Sequence, residues 1–125
     1  MLLARSASCS ISAAARSFSS APQHTSVQRL QRLFGSFGES DYIGEPVSIT
    51  QHNEQAAAAA RAAGEADEVI AAALLHDVGH LLELEAGYDA GMGGCGNLDH
   101  EASGAEFLRR LGLSEDVAFY VCAIT

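Results

Sequence analysis

Apolar residues recur at helical spacing in five stretches of this chain, and no stretch shows the alternation that is typical of a strand. In the first stretch, for example, Val27, Leu30, Leu33 and Phe34 form one stripe. The third stretch is apolar on most sides, which indicates a buried helix. The five helices are predicted at 26–37, from 50 or 52 to 63, 68–84, 100–111 and from 114 onward.

Residues that favour helix ends lie between these stretches. Asp67, Asp99 and Ser114 are predicted N-caps, and Gly64 and Gly112 are expected just after helix C-termini. A glycine-rich loop is predicted from 85 to 98. The sequence has no internal repeat and predicts an all-α bundle. The fifth helix is expected to be still running where the sequence stops, which predicts a bundle that is incomplete at the C-terminus.

Residues 1–25 differ in composition from the rest. They contain Arg5, Arg16 and many serines but no acid, a composition typical of an organelle transit peptide and expected to be disordered. The run from Arg16 to Ser20 resembles the region before a mitochondrial processing site, and chloroplast or cytoplasm are the alternatives. A disordered tail or a short secretory signal also stays open, although Arg5 interrupts the apolar run. The folded domain is placed at 26–125.

Charge and cysteine content exclude several classes. Beyond residue 25 there are five arginines, no lysine and 16 acids. Such an acidic domain is not expected to bind nucleic acid, because phosphate contacts need Lys and Arg. No apolar run approaches the roughly 18 residues of a membrane span. Cys95 and Cys122 lack the spacing of a zinc ribbon and are expected to be reduced thiols.

The candidate chemistry lies at the end of the third helix, where an apolar run leads into His76-Asp77 and then His80. On one helix, His76 and His80 share a face, and Asp77 points about 100° away. Buried unpaired charge is costly, and imidazole with carboxylate suits Fe, Mn or Zn. Asp77 is placed to reach a second ion or to bridge two. The alternative is ordinary half-buried histidines beside a surface acid.

Two further histidines are expected at the same end of the bundle. His52 lies near the start of the second helix and His100 near the start of the fourth. If consecutive helices are antiparallel, both histidines meet the end of the third helix. Four groups from three helices then converge, which is how helical bundles build metal sites.

These motifs resemble the HD-domain superfamily of metal-dependent phosphohydrolases and oxygenases. The resemblance extends over about 26–125 and is most specific to the phosphonate-degrading branch, the mixed-valent diiron oxygenases related to myo-inositol oxygenase. It is carried by four segments, 42–48, 51–56, 72–80 and 99–105.

The resemblance implies roles for individual residues. His52, His76, Asp77 and His100 would bind a dinuclear Fe(II)/Fe(III) centre, with Asp77 as the bridge. Tyr42 and Glu45 would form a mobile gate, and His80 would face the substrate as a hydrogen-bond or proton partner. The implied reaction uses O2 to cleave the carbon–phosphorus bond of a small hydroxy-aminoalkylphosphonate. Without the resemblance, Tyr42 reads as a packed loop aromatic and Glu45 as a surface acid.

The chain also departs from that branch. The family has a further His ligand, expected near Ile124, then a late Asp ligand and basic residues that hold the phosphonate. Three functions therefore stay open: the oxygenase, an HD phosphohydrolase using Mn, Mg or Fe, and a truncated non-catalytic domain. The Tyr42-x-x-Glu45 segment favours the oxygenase, and the end of the sequence within a helix favours the non-catalytic domain. The oligomeric state is not predicted.

Overall fold

A computed structural model describes residues 25–42, 44–88 and 99–124. Helices account for most of these residues, and within these ranges there is no strand, only an isolated bridge between Asp41 and Ser48. The all-α prediction is confirmed. The predicted transit segment, apart from Thr25, and most of the glycine-rich loop lie outside the described residues. The helices are α1 (Ser26–Phe37), α2 (Ile49–Ala62), α3 (Asp67–Leu75), α4 (Val78–Glu85), α5 (His100–Arg110) and α6 (Glu115–Ala123).

Side chains cap three of the helices. Ser48 and Gln51 form a capping box at the start of α2, so that helix begins earlier than predicted. Ser114 caps α6 as predicted by accepting from the N–H of Val117. Asp67 is not a cap: it lies in the first turn of α3, where its charge complements the helix dipole. Asp99 occupies the N-cap position of α5 but makes no capping hydrogen bond with its side chain.

The predicted third helix is interrupted. It is two helices, α3 and α4, and His76 and Asp77 lie between them. Asp77 has φ −96° and ψ 14°, outside the helical region and in the sparsely populated region where many active-site residues lie. The short polar side chain of Asp favours such non-helical conformations. The expectation that His76 and His80 share one face of a continuous helix was therefore wrong.

Each helix packs against the next in the spatial order α2, α3, α6, α5, α4, α1, and the core lies between them. Its buried residues come from all six helices: Leu33, Ile49, Ala72, Leu75, Val78, Leu81, Ala105, Leu108, Val117, Ala118 and Val121. The alanine run of α2 is not part of this core, because only Ile49 and Asn53 are buried in that helix. An open groove of about 850 Å³ follows the alanines between α2 and α3.

The last helix divides its apolar residues between core and surface. Val117 and Val121 are buried, whereas Phe119 is 60% exposed. The helix ends at Ala123, where the N–H of Ile124 donates to the Tyr120 carbonyl, so the expectation of a helix running to the final residue was wrong. Cys122 is a free, exposed thiol. None of the helices in the described part of the chain is long and apolar enough to cross a membrane.

Candidate metal centre

The start of α2 and the end of α3 lie side by side because the two helices are neighbours joined by a short turn. Gly64, at φ +75°, makes that turn, a conformation that glycine adopts without a Cβ penalty. His52, on the first turn of α2, therefore faces His76, and their Nε2 atoms are 3.2 Å apart. The predicted convergence is observed for this pair.

His52, His76 and Asp77 form what we call the first group. Oδ2 of Asp77 lies 3.1 Å from Nε2 of His76 and 3.5 Å from Nε2 of His52. Metal–ligand bonds of about 2.1 Å at tetrahedral or octahedral angles separate neighbouring ligand atoms by about 3.0–3.4 Å. The three atoms are thus spaced as ligands on one face of a single ion.

Contacts on the outer side of the first group orient its rings. Nδ1 of His76 donates to the Ala73 carbonyl at 2.7 Å, so a neutral ring presents its Nε2 lone pair to the group. The Tyr42 ring stacks on His52, with centroids 3.9 Å apart and 10° between the planes. Oε2 of Glu45 is 3.8 Å from Nδ1 of His52. Both predicted gate residues therefore lie beside a predicted ligand.

Mutual charge dominates the electrostatics of the first group. Burial alone raises the pKa of Asp77, but contact with His76 and the charges of the surrounding histidines outweigh it and lower that pKa. Burial likewise opposes the charged form of His76, yet Asp77 and the Ala73 carbonyl raise its pKa. Burial, then Asp77 and Glu45, raise the pKa of Tyr42. The carboxylate is held ionised, as a metal ligand must be.

Asp77, His80 and His100 form a second group that shares Asp77 with the first. The ligand atoms of this group all lie within 4.8 Å of one another. Oδ1 of Asp77, the oxygen not used by the first group, is 4.0 Å from Nε2 of His80. The rings of His80 and His100 stack, with centroids 3.9 Å apart. The two oxygens of one carboxylate thus face two different groups, the arrangement of a bridging ligand.

The second group depends on close contact between α4 and α5. A Cβ on Gly79 would overlap the backbone carbonyl of His100, and a Cβ on Gly104 would lie 3.1 Å from the Gly79 nitrogen. Only a residue without a side chain permits this approach. Since His100 is the first residue of α5, the glycine contact sets the height at which its ring meets His80.

Two acids contact the histidines of the second group. Oε2 of Glu83 is 3.5 Å from Nδ1 of His80, and Oε1 of Glu101 is 3.2 Å from Nε2 of His100. Glu101 contacts His100 and is placed to orient its ring. Glu83 was missed, although its position three residues after His80 on a helix was a readable signal. Cys95, predicted to be a reduced thiol, lies outside the described residues.

The donor set fits a metal. Asp77 is 3% exposed, and its Oδ2 has no hydrogen-bond partner within the described ranges. A buried ionised oxygen of this kind is costly unless a cation compensates it. Imidazole nitrogens and carboxylate oxygens suit Fe, Mn or Zn. The roles of His52, His76, Asp77 and His100 as ligands, and of Tyr42, Glu45 and His80 as catalytic groups, stay predictions.

The chain is similar to known proteins. Residues 49–123 match the family model described as HD domain. An uncharacterized protein of Acanthamoeba polyphaga mimivirus is 38% identical over 92 residues, which cover 74% of this chain and 42% of the relative. A [1-hydroxy-2-(trimethylamino)ethyl]phosphonate dioxygenase (glycine-betaine-forming) of Leisingera caerulea is 32% identical over 103 residues, which cover 78% of this chain and 50% of the relative. The chain thus spans half or less of the length of these relatives.

Proposed function

This chain belongs to the HD-domain family, and we propose that it is an iron-dependent oxygenase that cleaves the carbon–phosphorus bond of a small hydroxy-aminoalkylphosphonate. The spacing of the first group carries the proposal. Three ligand-type atoms, one of which is a buried carboxylate oxygen, lie 3.1, 3.2 and 3.5 Å apart. That spacing supports a metal ion, since the Asp77 oxygen is buried and has no hydrogen-bond partner among the described residues.

We infer that the metal is iron and that the chain binds two ions. His52, His76 and Asp77 would hold one ion, and Asp77 with His100 would contribute to the second. Bound iron would supply oxygen activation and a Lewis acid for the substrate hydroxyl and phosphonate oxygens. The Leisingera relative, named as a phosphonate dioxygenase, supports this choice over zinc, which has no redox chemistry.

The name of that relative supports the substrate class that we propose. The carbon that bears the hydroxyl group loses its hydrogen and its bond to phosphorus and becomes a carboxylate. Phosphorus leaves as phosphate, and both atoms of O2 are needed to balance the oxygen count. The amino-bearing end of the substrate is untouched, so an amino acid or a betaine would be the second product.

The Tyr42 and Glu45 segment supports an oxygenase over a phosphohydrolase. Tyr42 covers His52, and its phenol is kept protonated by burial and by Asp77 and Glu45. We propose that the segment closes the first group from solvent and opens when the substrate arrives. Glu45 is more than half exposed and can reach an incoming ligand. Exclusion of water protects a reactive oxidant from side reactions.

Metal loading and turnover test the proposal together. The full chain is purified anaerobically, loaded with Fe(II) and exposed to limited oxygen, and we expect two irons per chain with a coupled Fe(II)/Fe(III) EPR signal. Oxygen uptake and phosphate release are then followed with a panel of 1-hydroxyalkylphosphonates. His76→Ala removes a ligand and should abolish both, whereas Glu65→Gln, an exposed acid between α2 and α3, should not.

The competing functions give different outcomes. Hydrolysis of phosphate esters with Mn or Mg, without oxygen uptake, would replace the oxygenase by an HD phosphohydrolase. Stoichiometric metal binding without turnover of either substrate class would indicate a non-catalytic domain. Metal binding below one ion per chain would overturn the proposal itself.

A further inference from the structure

The groove between α2 and α3 exposes one face of each helix. The α2 side of the groove is a stripe at helical spacing, formed by Glu54, Ala57, Ala58 and Arg61. On the α3 side, the apolar side chain of Leu74 is 39% exposed. We propose that this face binds a second copy of the chain, so that two α2–α3 hairpins form a four-helix bundle. The face contains no residue of the two metal groups, so the proposal does not depend on the metal centre.

The charges of the α2 stripe make it complementary to itself. Glu54 and Arg61 are separated by seven residues, about 10.5 Å along the helix. The midpoint of that separation falls between Ala57 and Ala58. When two copies of α2 pack antiparallel about this midpoint, Glu54 of each copy lies opposite Arg61 of the other. A twofold axis therefore generates two equivalent ion pairs, as an interface between identical surfaces requires.

Both charged side chains are available to a partner. Glu54 and Arg61 are exposed, and their side chains form no ion pair or hydrogen bond with the rest of the described chain. By contrast, Arg29, Arg109 and Arg110 each pair with a glutamate of the same chain. Charge pairs across an interface fix its orientation more than they add affinity. The pairing of Glu54 with Arg61 thus selects the antiparallel arrangement.

The centre of the face suits close packing of helices. Ala57 and Ala58 carry only a methyl group, so two α2 helices can approach to the short end of the interaxial range of about 8–10 Å. Ile70 and Leu74 of α3 line the same groove and would be removed from water. Four-helix bundles are built from hairpins with short connections of this kind. Because one side of a single hairpin is smaller than a standard interface, we expect a dissociation constant in the micromolar range.

Sedimentation equilibrium of the full chain over a concentration series measures the association directly. We expect the wild type to show a monomer–dimer equilibrium. Ala58→Glu places an acid of each copy beside the twofold axis, where the two acids repel each other, and should raise the Kd by more than about 100-fold. Ala59→Glu is the matched control, because Ala59 is exposed on α2 but lies outside the groove, and it should dimerise as the wild type does. Far-UV circular dichroism checks that both variants keep their helices.

An exchange of the two charges tests the pairing itself. Arg61→Glu places acids opposite each other at both pairs, and Glu54→Arg places bases opposite each other. Each single variant should raise the Kd by more than about 10-fold. The double variant with both substitutions has the net charge of the wild type and restores two pairs of opposite charge. Its Kd should return close to that of the wild type.

The outcomes decide between this face and another. Loss of the dimer in Ala58→Glu and Arg61→Glu, with retention in Ala59→Glu and recovery in the double variant, would support the proposal. A wild-type chain that stays monomeric up to about 1 mM, where even weak complexes assemble, would overturn it and leave the groove to a different partner. A dimer that tolerates Ala58→Glu, or that the charge exchange does not restore, would also overturn it, because the contact would then lie elsewhere or have another geometry.

Discussion

The two groups that share Asp77 differ in how tightly they are assembled. In the first group the ligand-type atoms lie 3.1–3.5 Å apart, the separation expected around a bound ion. In the second group the His80 nitrogen is 4.0 Å from Asp77. The first group is therefore already spaced to hold an ion, whereas the second would have to contract around one. We expect the first group to bind more tightly.

The difference follows from which helices meet. His52 and His76 belong to helices joined by a short turn, so their approach is local in sequence and costs little loop-closure entropy. His80 and His100 come from α4 and α5, which the longer segment 86–99 connects. Their approach depends on the contact of Gly79 with His100 rather than on a short connection.

The largest expected effect comes from the residue that the groups share. Asp77→Asn keeps the size of the side chain but removes the charge that both proposed ions need, so bound iron should fall from the proposed two per chain to none. Each affinity should drop by more than about 100-fold, beyond the effect of an outer-shell change. Thermal unfolding gives a second measurement. Metal at 100 times its Kd stabilises a protein by about 2.7 kcal/mol per site, and the variant should lose this gain.

Asp116→Asn is the control for that experiment, since Asp116 is an exposed acid on α6, a helix that carries no predicted ligand. It should retain both ions and the thermal gain. If Asp77→Asn kept one ion at full affinity, the carboxylate would serve a single group, and the comparison between two linked groups would fail.

Much of this centre was readable in the sequence because it depends on spacing and helix order. The approach of His52 to His76 follows from two helices and a Gly64 turn. The break at His76-Asp77 was not readable, because apolar periodicity continues through it and only the backbone angles of Asp77 reveal it. The division of the Asp77 oxygens between groups depends on that break. The overlap between Gly79 and His100 is a long-range contact that no local pattern encodes.

Gly79→Ala should disturb the second group and leave the first group intact. Its Cβ would overlap the backbone of His100, which cannot rotate away as a side chain can, so α4 and α5 must move apart. We expect a loss of about 1–3 kcal/mol in the free energy of unfolding, typical of overpacking. The second ion should be lost and the first retained. The measurements are urea unfolding of the apoprotein and iron per chain.

Gly35→Ala is the matched control, because Gly35 lies within helix α1 and a Cβ there meets nothing within 4 Å. The same substitution should stabilise the protein by about 0.5–1 kcal/mol, because glycine is entropically unfavourable in a helix. Equal loss of both ions in Gly79→Ala would mean that the groups are not independent in their assembly.

Substitutions at Tyr42 are expected to affect only the first group. Tyr42→Ala removes the ring that stacks on His52 and should weaken binding of the first ion by about 2- to 10-fold, since such aromatic contacts contribute about 0.5–1.5 kcal/mol. Tyr42→Phe keeps the stacked ring and should bind both ions as the wild type does. Isothermal titration with Fe(II) under nitrogen resolves the two affinities. If Tyr42→Ala bound the second ion more weakly and the first ion as the wild type does, the assignment of Tyr42 to the first group would be wrong.

The smallest expected effect concerns the helix that carries His52. Ser48→Ala removes the N-cap hydrogen bond to Gln51 and should cost about 1 kcal/mol of stability. Ser114→Ala removes the equivalent cap of α6, which carries no predicted ligand, at a similar cost. Urea unfolding should therefore rank the two variants together, whereas metal titration should separate them. Fraying of the first turn of α2 moves His52, so Ser48→Ala should weaken the first ion by up to about fivefold, and Ser114→Ala should weaken neither. Equal metal affinities in the two variants would show that the turn containing Tyr42 and Glu45 holds His52 in place without its helix cap.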